Sequence, residues 1–509
     1  MRRASLAWAA LASLLAAGGA LAACSSRGTE VGVRPEGSAR ALGMFSTRLP
    51  ERAEEQARLA LAQDARRREN RFIDAVKPDH LASATRVSQR ELEAGLFPPE
   101  AIFEIGAQLF NFSFTKDMGF GGKDLPYRAR FQRGLRGGPD ATHCAQCHWR
   151  GGPAGAGDGA DNAFLGGDGD RQSSALSRNP IALTGAGYVE ILAREMTEEL
   201  QRARESLLAS ARSSRSPQKG ELLAKGLSFG TLVARPDGST DARLVDGVDA
   251  DLVVKPFGHK GTFATLRDAV EEALNVHHGM QSTHLVRTAP PERVGGYGRP
   301  DPDGDGRTDE IIEGQVSALT LYLAMQEVPR SVLPSRIDRA LLTSTDVSLF
   351  WAEGRARFTQ LGCAGCHVPL LPARSTLFVL PSRDGGRPVS VDLATHGAEP
   401  RLKPSLDGRF EVELYSDLKR HDMGPGLAEA RADRGVSPSL FVTRPLWGVA
   451  RSRPYLHDGR APTLEDAIVL HGGEAQRSRD AFLALPELQK ASVRVFLTSL
   501  TRATRIVVP

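Results

Sequence analysis

The sequence predicts a mainly α-helical protein built from two helical domains of one kind, with a small β-hairpin inserted in the first. Three observations predict it. One long pattern of residues recurs in the two halves of the chain. In each copy apolar residues return at helical intervals behind a threonine placed to cap a helix. Aromatic residues are sparse, at 6%, while glycine and proline are plentiful, which favours helices joined by loops over long sheets. The 509 residues suffice for two or three domains of ordinary size. A formal charge of +4 is too small for that length to point to nucleic acid or to a membrane surface.

Arg2 and Arg3 precede an apolar run from Leu6 to Ala23, the pattern of a secretory signal, so residues 1–23 are read as lying outside the fold. The run ends Leu21-Ala22-Ala23-Cys24, which resembles the lipobox of bacterial lipoproteins. In that case Cys24 is acylated and holds the protein at a bilayer without a spanning helix. The competing reading is an ordinary signal peptide cut nearby. No later stretch approaches the ~18 apolar residues of a span. Residues 24–97 are read as a tether, with a charged packing helix from Glu51 to Val76.

Five cysteines occur: Cys24, Cys144, Cys147, Cys363 and Cys366. Setting Cys24 aside leaves two pairs of one spacing, each followed at once by histidine: Cys144-Ala-Gln-Cys147-His148 and Cys363-Ala-Gly-Cys366-His367. Two disulfides would suit an exported chain, but such closely spaced pairs rarely close on themselves outside redox motifs. C-x-x-C-H is the attachment motif of c-type haem. The two thiols add to the two vinyl groups of the ring, whose separation the spacing matches. The following imidazole then lies beneath the ring and binds iron. Two such motifs, using every remaining cysteine, predict two covalently bound haem c groups with His148 and His367 as proximal ligands. Two Cys2His zinc clusters are the competing reading, opposed by the export signal and the flanking sequence.

Both motifs sit inside the longer repeat. Gly106-Ala-Gln-Leu-Phe110 matches Gly354-Arg-Ala-Arg-Phe358 on a helix leading toward each motif. Downstream, Arg178-Asn-Pro180 echoes Arg444-Pro445-Leu-Trp447. The stretch from Pro256 through His259, Gly261 and Thr265 to Ala269 then aligns without a gap on Pro454 through His457, Gly459 and Thr463 to Ala467. Apolar helices, Ala318–Met325 and Ser492–Leu500, close the two copies. The organisation is therefore a first cytochrome c-like domain over 98–330, a linker over 331–344 and a second over 345–509. The first copy is longer. Its insertion from Arg204 to Val254 holds Ser228–Ala234 and Ala242–Val245, separated by Pro-Asp-Gly-Ser, which read as the hairpin.

At this point the chain resembles the bacterial di-haem cytochrome c peroxidase superfamily, and within it the di-haem oxidoreductase branch, sometimes labelled thiol oxidoreductases. The likeness is carried by the two C-x-x-C-H motifs, by Leu414-Tyr-Ser-Asp-Leu-Lys-Arg-His421-Asp-Met423-Gly, and by the run from Arg444-Pro-Leu-Trp447-Gly through Tyr455-Leu-His457-Asp-Gly459 to His471-Gly-Gly-Glu474. It covers roughly residues 98–505 and is strongest after Cys363. The resemblance implies two mainly helical domains facing each other, one haem with two axial ligands, and another whose sixth position opens to peroxide.

It also implies site residues. The helix after Tyr-x-His-x-Gly supplies the sixth ligand of the second haem in relatives, and counting places His471 there, with Met423 as the rival. In the first copy the matching helix ends His277-His278, and only one of two adjacent histidines on a helix can face the ring. Relatives often ligate this haem through a histidine soon after C-x-x-C-H, yet none occurs here between His148 and His259, which leaves open which haem is five-coordinate. His259 and His457 are read as hydrogen-bonding residues beside the pockets. Arg178 and Arg444 suit haem propionates. Trp447 or Trp149 sits between the haems or simply in the core. Glu190 is the candidate acid–base group over the open iron. Asp301-Pro-Asp303-Gly-Asp305-Gly-Arg-Thr-Asp309 is either a partial calcium loop or a plain acidic turn, since its twelfth position is Ile312.

The function expected is that of a di-haem c-type oxidoreductase of peroxidase kind, lipid-anchored on the periplasmic side of a bacterial membrane, the outer one by preference. It would draw electrons from a small donor protein or a quinol-linked chain and pass them to hydrogen peroxide at one open iron. The alternative is a non-catalytic electron-transfer cytochrome with both haems six-coordinate.

Overall fold

A computed structural model describes residues 87–115, 118, 140–168, 171–288, 306, 310–332 and 344–502. The signal segment, Cys24, the Glu51–Val76 stretch and Asp301, Asp303, Asp305 and Asp309 lie outside the described residues.

Among the described residues, ten α-helices follow the caps and apolar spacing of the sequence. α1 spans Gln89–Glu93, where Ser88 and Glu91 form a capping box. α2 spans Pro99–Asn111 with proline at its first position. α3 is the long Ala186–Ser214. α4 (Leu266–His278) starts on Thr265, whose hydroxyl accepts the Asp268 N–H at 3.2 Å. α5 is Thr283–Thr288, and α6 (Glu313–Ala324) is buried along nearly its whole length. α7 spans Ser344–Gln360. α8 (Leu464–Leu470) repeats the α4 start, Thr463 accepting from Asp466 at 3.1 Å. α9 (Gln476–Leu483) and α10 (Glu487–Ser499) complete the set.

In both copies the helix leading to the motif crosses the closing helix on a glycine. A Cβ on Gly106 would collide with Tyr322 and the Ala318 carbonyl of α6, and one on Gly354 with the Ser492 carbonyl and Phe496 of α10. The same aromatic follows one turn later. Phe110 lies 5.3 Å from the Tyr322 ring, and Phe358 lies 5.2 Å from Phe496. The repeat read in the sequence is thus a repeated helix crossing.

The expectation of a mainly α fold is corrected. Among the described residues helix accounts for 39% and strand for 17%, the latter in several small sheets. The insertion forms an antiparallel three-stranded sheet of β1 (Gln218–Ala224), β2 (Leu227–Ala234) and β3 (Thr240–Val245), so the expected hairpin has a third strand. Other loops close into two-stranded ribbons, such as Leu377–Leu380 on Val389–Asp392 and Arg420–Asp422 on Leu440–Val442. Strands of three or four residues carry too little alternation to separate from loop in the sequence.

One hydrophobic core runs from α2 through α3 and α6 to Leu371, Phe378, Val412 and Trp447, while a smaller one gathers Phe358, Tyr415, Phe482 and Phe496. The two copies are tied by Arg330–Ser331 pairing with Leu500–Thr501, by the fully buried Arg502–Glu327 ion pair, and by the bond from Asn179 N–H to the His457 carbonyl at 2.8 Å.

The crossings set a prediction. Gly106→Ala and Gly354→Ala should each cost about 1–3 kcal/mol by overpacking. Gly426→Ala, with open space around it, should stay within roughly 0.5 kcal/mol of the parent. Denaturant unfolding followed by circular dichroism measures all three, and equal losses would refute the crossing argument.

Candidate haem sites

Each C-x-x-C-H motif forms a 3-10 turn, Cys144–Gln146 in one copy and Cys363–Gly365 in the other. None of the four cysteines is joined to another of them by a disulfide. In neither motif do the two sulfurs and the imidazole lie within 4.8 Å of one another, as zinc ligands would. Burial pushes the Cys144 thiol up to about 12 and the Cys363 thiol up to about 11, away from the thiolate form that zinc prefers.

The histidines are held alike. His148 Nδ1 lies 2.9 Å from the Ile181 carbonyl and His367 Nδ1 lies 3.1 Å from the Tyr415 carbonyl. A carbonyl only accepts, so each proton sits on Nδ1 and each Nε2 keeps a free lone pair. Burial pushes both imidazoles down to about 4, so they are neutral and fit to ligate. The helix aromatic flanks each ring at the same distance: Phe110 to His148 and Phe358 to His367 are both 6.4 Å.

Two more histidines follow the same rule. His471 Nδ1 lies 2.6 Å from the Ala467 carbonyl of its own helix, and His278 Nδ1 lies 2.6 Å from the Ala141 carbonyl. Burial lowers both, His278 to about 3. His277 differs. Its Nδ1 meets the Asp140 carboxylate at 3.1 Å, and although burial opposes it, Asp140 raises its pKa above the ordinary histidine value. The structure therefore separates the adjacent pair: His278 keeps its Nε2 lone pair, which accepts from the Cys144 thiol at 3.7 Å, and His277 is an ion-pairing residue.

A largely apolar cavity of about 380 Å³ joins the second motif to the middle of the molecule. Cys363, Cys366, His367, Met423 and His471 line one part, and Asn179, His259, Arg444, Trp447 and His457 line the other. Arg444 shows what the cavity suits. Burial pulls its guanidinium down to about 10, no carboxylate among the described residues shares an ion pair with it, and it donates to the Pro256 carbonyl at 3.4 Å. A cation facing a cavity in this way fits the propionates of a haem. Trp447 packs on Gly185, where a Cβ would strike the indole, and so stands between the two copies.

The remaining candidates sit elsewhere. Arg178 is closed in ion pairs with Glu429 and with Asp433, the latter at 2.9 Å. His259 Nε2 bonds the Asn179 carbonyl at 2.8 Å, and His457 stacks on Phe441 at 4.6 Å. Trp149 donates to Asp161 at 2.9 Å. Glu190 lies outside the cavity, where its Oε2 accepts the first N–H of α4 from Leu266 at 2.6 Å. It thereby caps the helix that ends in His278. Sequence reasoning missed the trio Asp417, His421 and Glu474 beside Cys366. The signal was there as an aspartate four residues before a histidine inside the quoted motif.

The paired motifs define the class of site, that of a haem-binding redox protein, and one family model agrees with it for the second copy. Residues 342–500 match the family described as "Di-haem oxidoreductase, putative peroxidase". That segment, which holds Cys363, His367, His421 and His471, is similar to the di-haem oxidoreductase family. No curated protein matches the chain. Among solved structures it is similar to hydrazine synthase of Kuenenia stuttgartiensis, pressurised with xenon, at 15% identity over 77% of this chain and 94% of that one, with a TM-score of 0.30. It is also similar to a MauG-like protein associated with microbial copper homeostasis, at 18% identity over 52% and 76% of the two chains, with a TM-score of 0.25.

Glu190 yields a pH prediction. Burial raises its carboxyl from 4.5 to about 7, against the Leu266 N–H and Arg194, which lower it, while Asp268 adds to the rise. Ionisation then costs stability that is intact below about 4.5 and is lost as pH climbs to about 7. Glu190→Gln keeps an accepting oxygen and should be the more stable protein at pH 8, by on the order of 3 kcal/mol, with the gap closing toward pH 4.5. Thermal unfolding across that range checks it, and a gap constant with pH would refute it.

Proposed function

We propose that the chain carries two haem c groups, bound through Cys144 and Cys147 with His148 as ligand, and through Cys363 and Cys366 with His367, and that it is a peroxidase-like di-haem oxidoreductase. The observation that carries this reading is the duplicated site: motif, carbonyl-held imidazole, flanking phenylalanine and helix crossing recur together in both copies. Haem supplies one-electron chemistry at iron when bound.

The chain's own residues divide the two centres. At the second, His367 and His471 line one cavity with both Nε2 atoms free, which supports a six-coordinate electron-receiving centre. At the first, His278 sets its Nε2 against Cys144 Sγ, which supports a sixth position that opens for substrate, hydrogen peroxide by default. Arg444 would anchor propionates in the cavity between the copies, and Trp447 lies where electrons would pass. Electrons would come from a small donor protein or a quinol-linked chain. Export and an acyl anchor at Cys24 on the periplasmic side belong to the same reading, as does calcium at Asp301, Asp303, Asp305 and Asp309. Among the described residues no helix is long and apolar enough to cross a membrane.

One observation favours the carrier reading instead: each centre has a second neutral histidine, His278 or His471. The expected result for the enzyme is two haems retained per acid–acetone-washed chain by pyridine haemochrome assay, and one in the Cys144→Ser/Cys147→Ser variant. Ferric EPR should then show one high-spin centre that reacts rapidly with peroxide. Retention of no haem defeats the proposal, and two low-spin centres inert to peroxide replace the enzyme with the carrier.

A further inference from the structure

The segment from Tyr415 to Met423 does two things at the second centre. Its Tyr415 carbonyl receives the Nδ1 proton of His367, and two residues on, the Asp417 N–H donates to the Cys366 carbonyl at 2.9 Å. The proximal side of the site is therefore fixed to Asp417. On the other side, Glu474 follows His471 by three residues, and its Oε1 accepts the Asp422 N–H at 2.7 Å. Between these two carboxylates stands His421. Its Nε2 is 2.8 Å from Asp417 Oδ2, and its Nδ1 is 2.7 Å from Glu474 Oε2.

A neutral imidazole has a single N–H and can satisfy one carboxylate only. Two carboxylates at hydrogen-bond distance require both nitrogens to carry protons, which makes His421 a cation between two anions. His421 and Asp417 are almost fully buried, while Glu474 is half exposed. The grouping of Cys366, Asp417 and His421 within 4.8 Å is no metal site. Both ring nitrogens are already committed, and the Cys366 sulfur belongs to the attachment motif.

The backbone adds to the bridge. Gly473 takes φ +53 and packs directly on the Asp422 carbonyl, and Gly472 lies against the Met423 carbonyl, so the turn after His471 meets the His421 strand with no side chain between them.

We propose that His421 is a strut across the second haem centre: joined to Asp417 on the proximal side and to Glu474 on the distal side, it fixes the turn that carries His471 and so holds the sixth position of that iron closed. His421 acts through His471 and touches no substrate, so it is a positioning residue. The inference rests on the distal role of His471 given above.

The test uses the full holoprotein with both haems attached, and compares Glu474→Gln and His421→Gln with the parent and with His471→Ala. Glu474→Gln keeps side-chain volume at a half-exposed position, so it reports even where His421→Gln folds poorly. Cyanide added to the ferric protein is the probe, with EPR as the second readout. In Glu474→Gln the second centre should lose part of its low-spin signal and bind cyanide roughly tenfold faster, while the signals of the first centre and the melting temperature stay as in the parent. A general loss of structure would move both centres together. Parent-like low-spin signal and cyanide rate in both strut variants overturn the inference. A His471→Ala protein spectrally identical to the parent defeats the ligand assignment itself, and the strut with it.

Discussion

The arrangement of both sites depends on one constraint: an imidazole offers a lone pair from Nε2 only when its Nδ1 proton is held elsewhere. Four histidines meet it through main-chain carbonyls, those of Ile181, Tyr415, Ala141 and Ala467. A carbonyl is a good holder because it accepts and never donates, so the tautomer is set at any pH at which the ring is neutral. The cost falls on the backbone that must present the carbonyl. Tyr415 stands at φ +55 and Leu418 at φ +58, in the left-handed region that side chains disfavour. Tyr415 is kept there by its packing on Phe358 and Phe496 and by the bond from its hydroxyl to Glu413 at 2.9 Å. The small aromatic core of the second copy is thus the support of a strained turn that orients a ligand.

The same reasoning explains why the two copies are alike where they are. A helix crossing on glycine brings a phenylalanine one turn later to 6.4 Å from the imidazole, in both halves. Elsewhere the halves differ freely. The sheet β1–β3 decorates only the first copy, and it reaches the second through Lys419, which bonds Asp246 at 2.6 Å and the Ser228 carbonyl at 2.9 Å. Lys419 belongs to the same Tyr415–Met423 segment, so the insertion braces the turn that holds His367.

Much of this was legible in the sequence, for identifiable reasons. Attachment motifs, the Thr265 and Thr463 caps and the gapless stretch around His259 and His457 are short-range patterns, and each has a local physical cause. What was not legible needed partners distant in the chain. Arg178 and Arg444 stand at matching places in the repeat, yet Arg178 is consumed by Glu429 and Asp433, about 250 positions away, and only Arg444 faces the cavity. Glu190, read in the sequence as an acid–base group over the open iron, caps α4. The adjacent His277 and His278 could not be ranked until Asp140 was seen to claim the first. The fold class erred for a related reason: the two-stranded ribbons pair residues whose individual strands are too short to announce themselves.

The asymmetry between the centres follows from how each distal histidine is held. His471 takes its Nδ1 partner from its own helix, and the turn after it is clamped by Glu474 on the His421 strand, so the ring and its support form one local unit. His278 takes its partner from Ala141, which precedes the first motif by three residues, on the proximal segment itself. Its position is therefore tied to the motif loop and to α4, whose other end rests on the Glu190 carboxyl. A ligand with two independent local anchors resists displacement, and a ligand suspended between a loop and the far end of a 13-residue helix yields to smaller forces. In the proposed reading that difference, rather than ligand identity, would assign the closed position to the second centre and the displaceable one to the first.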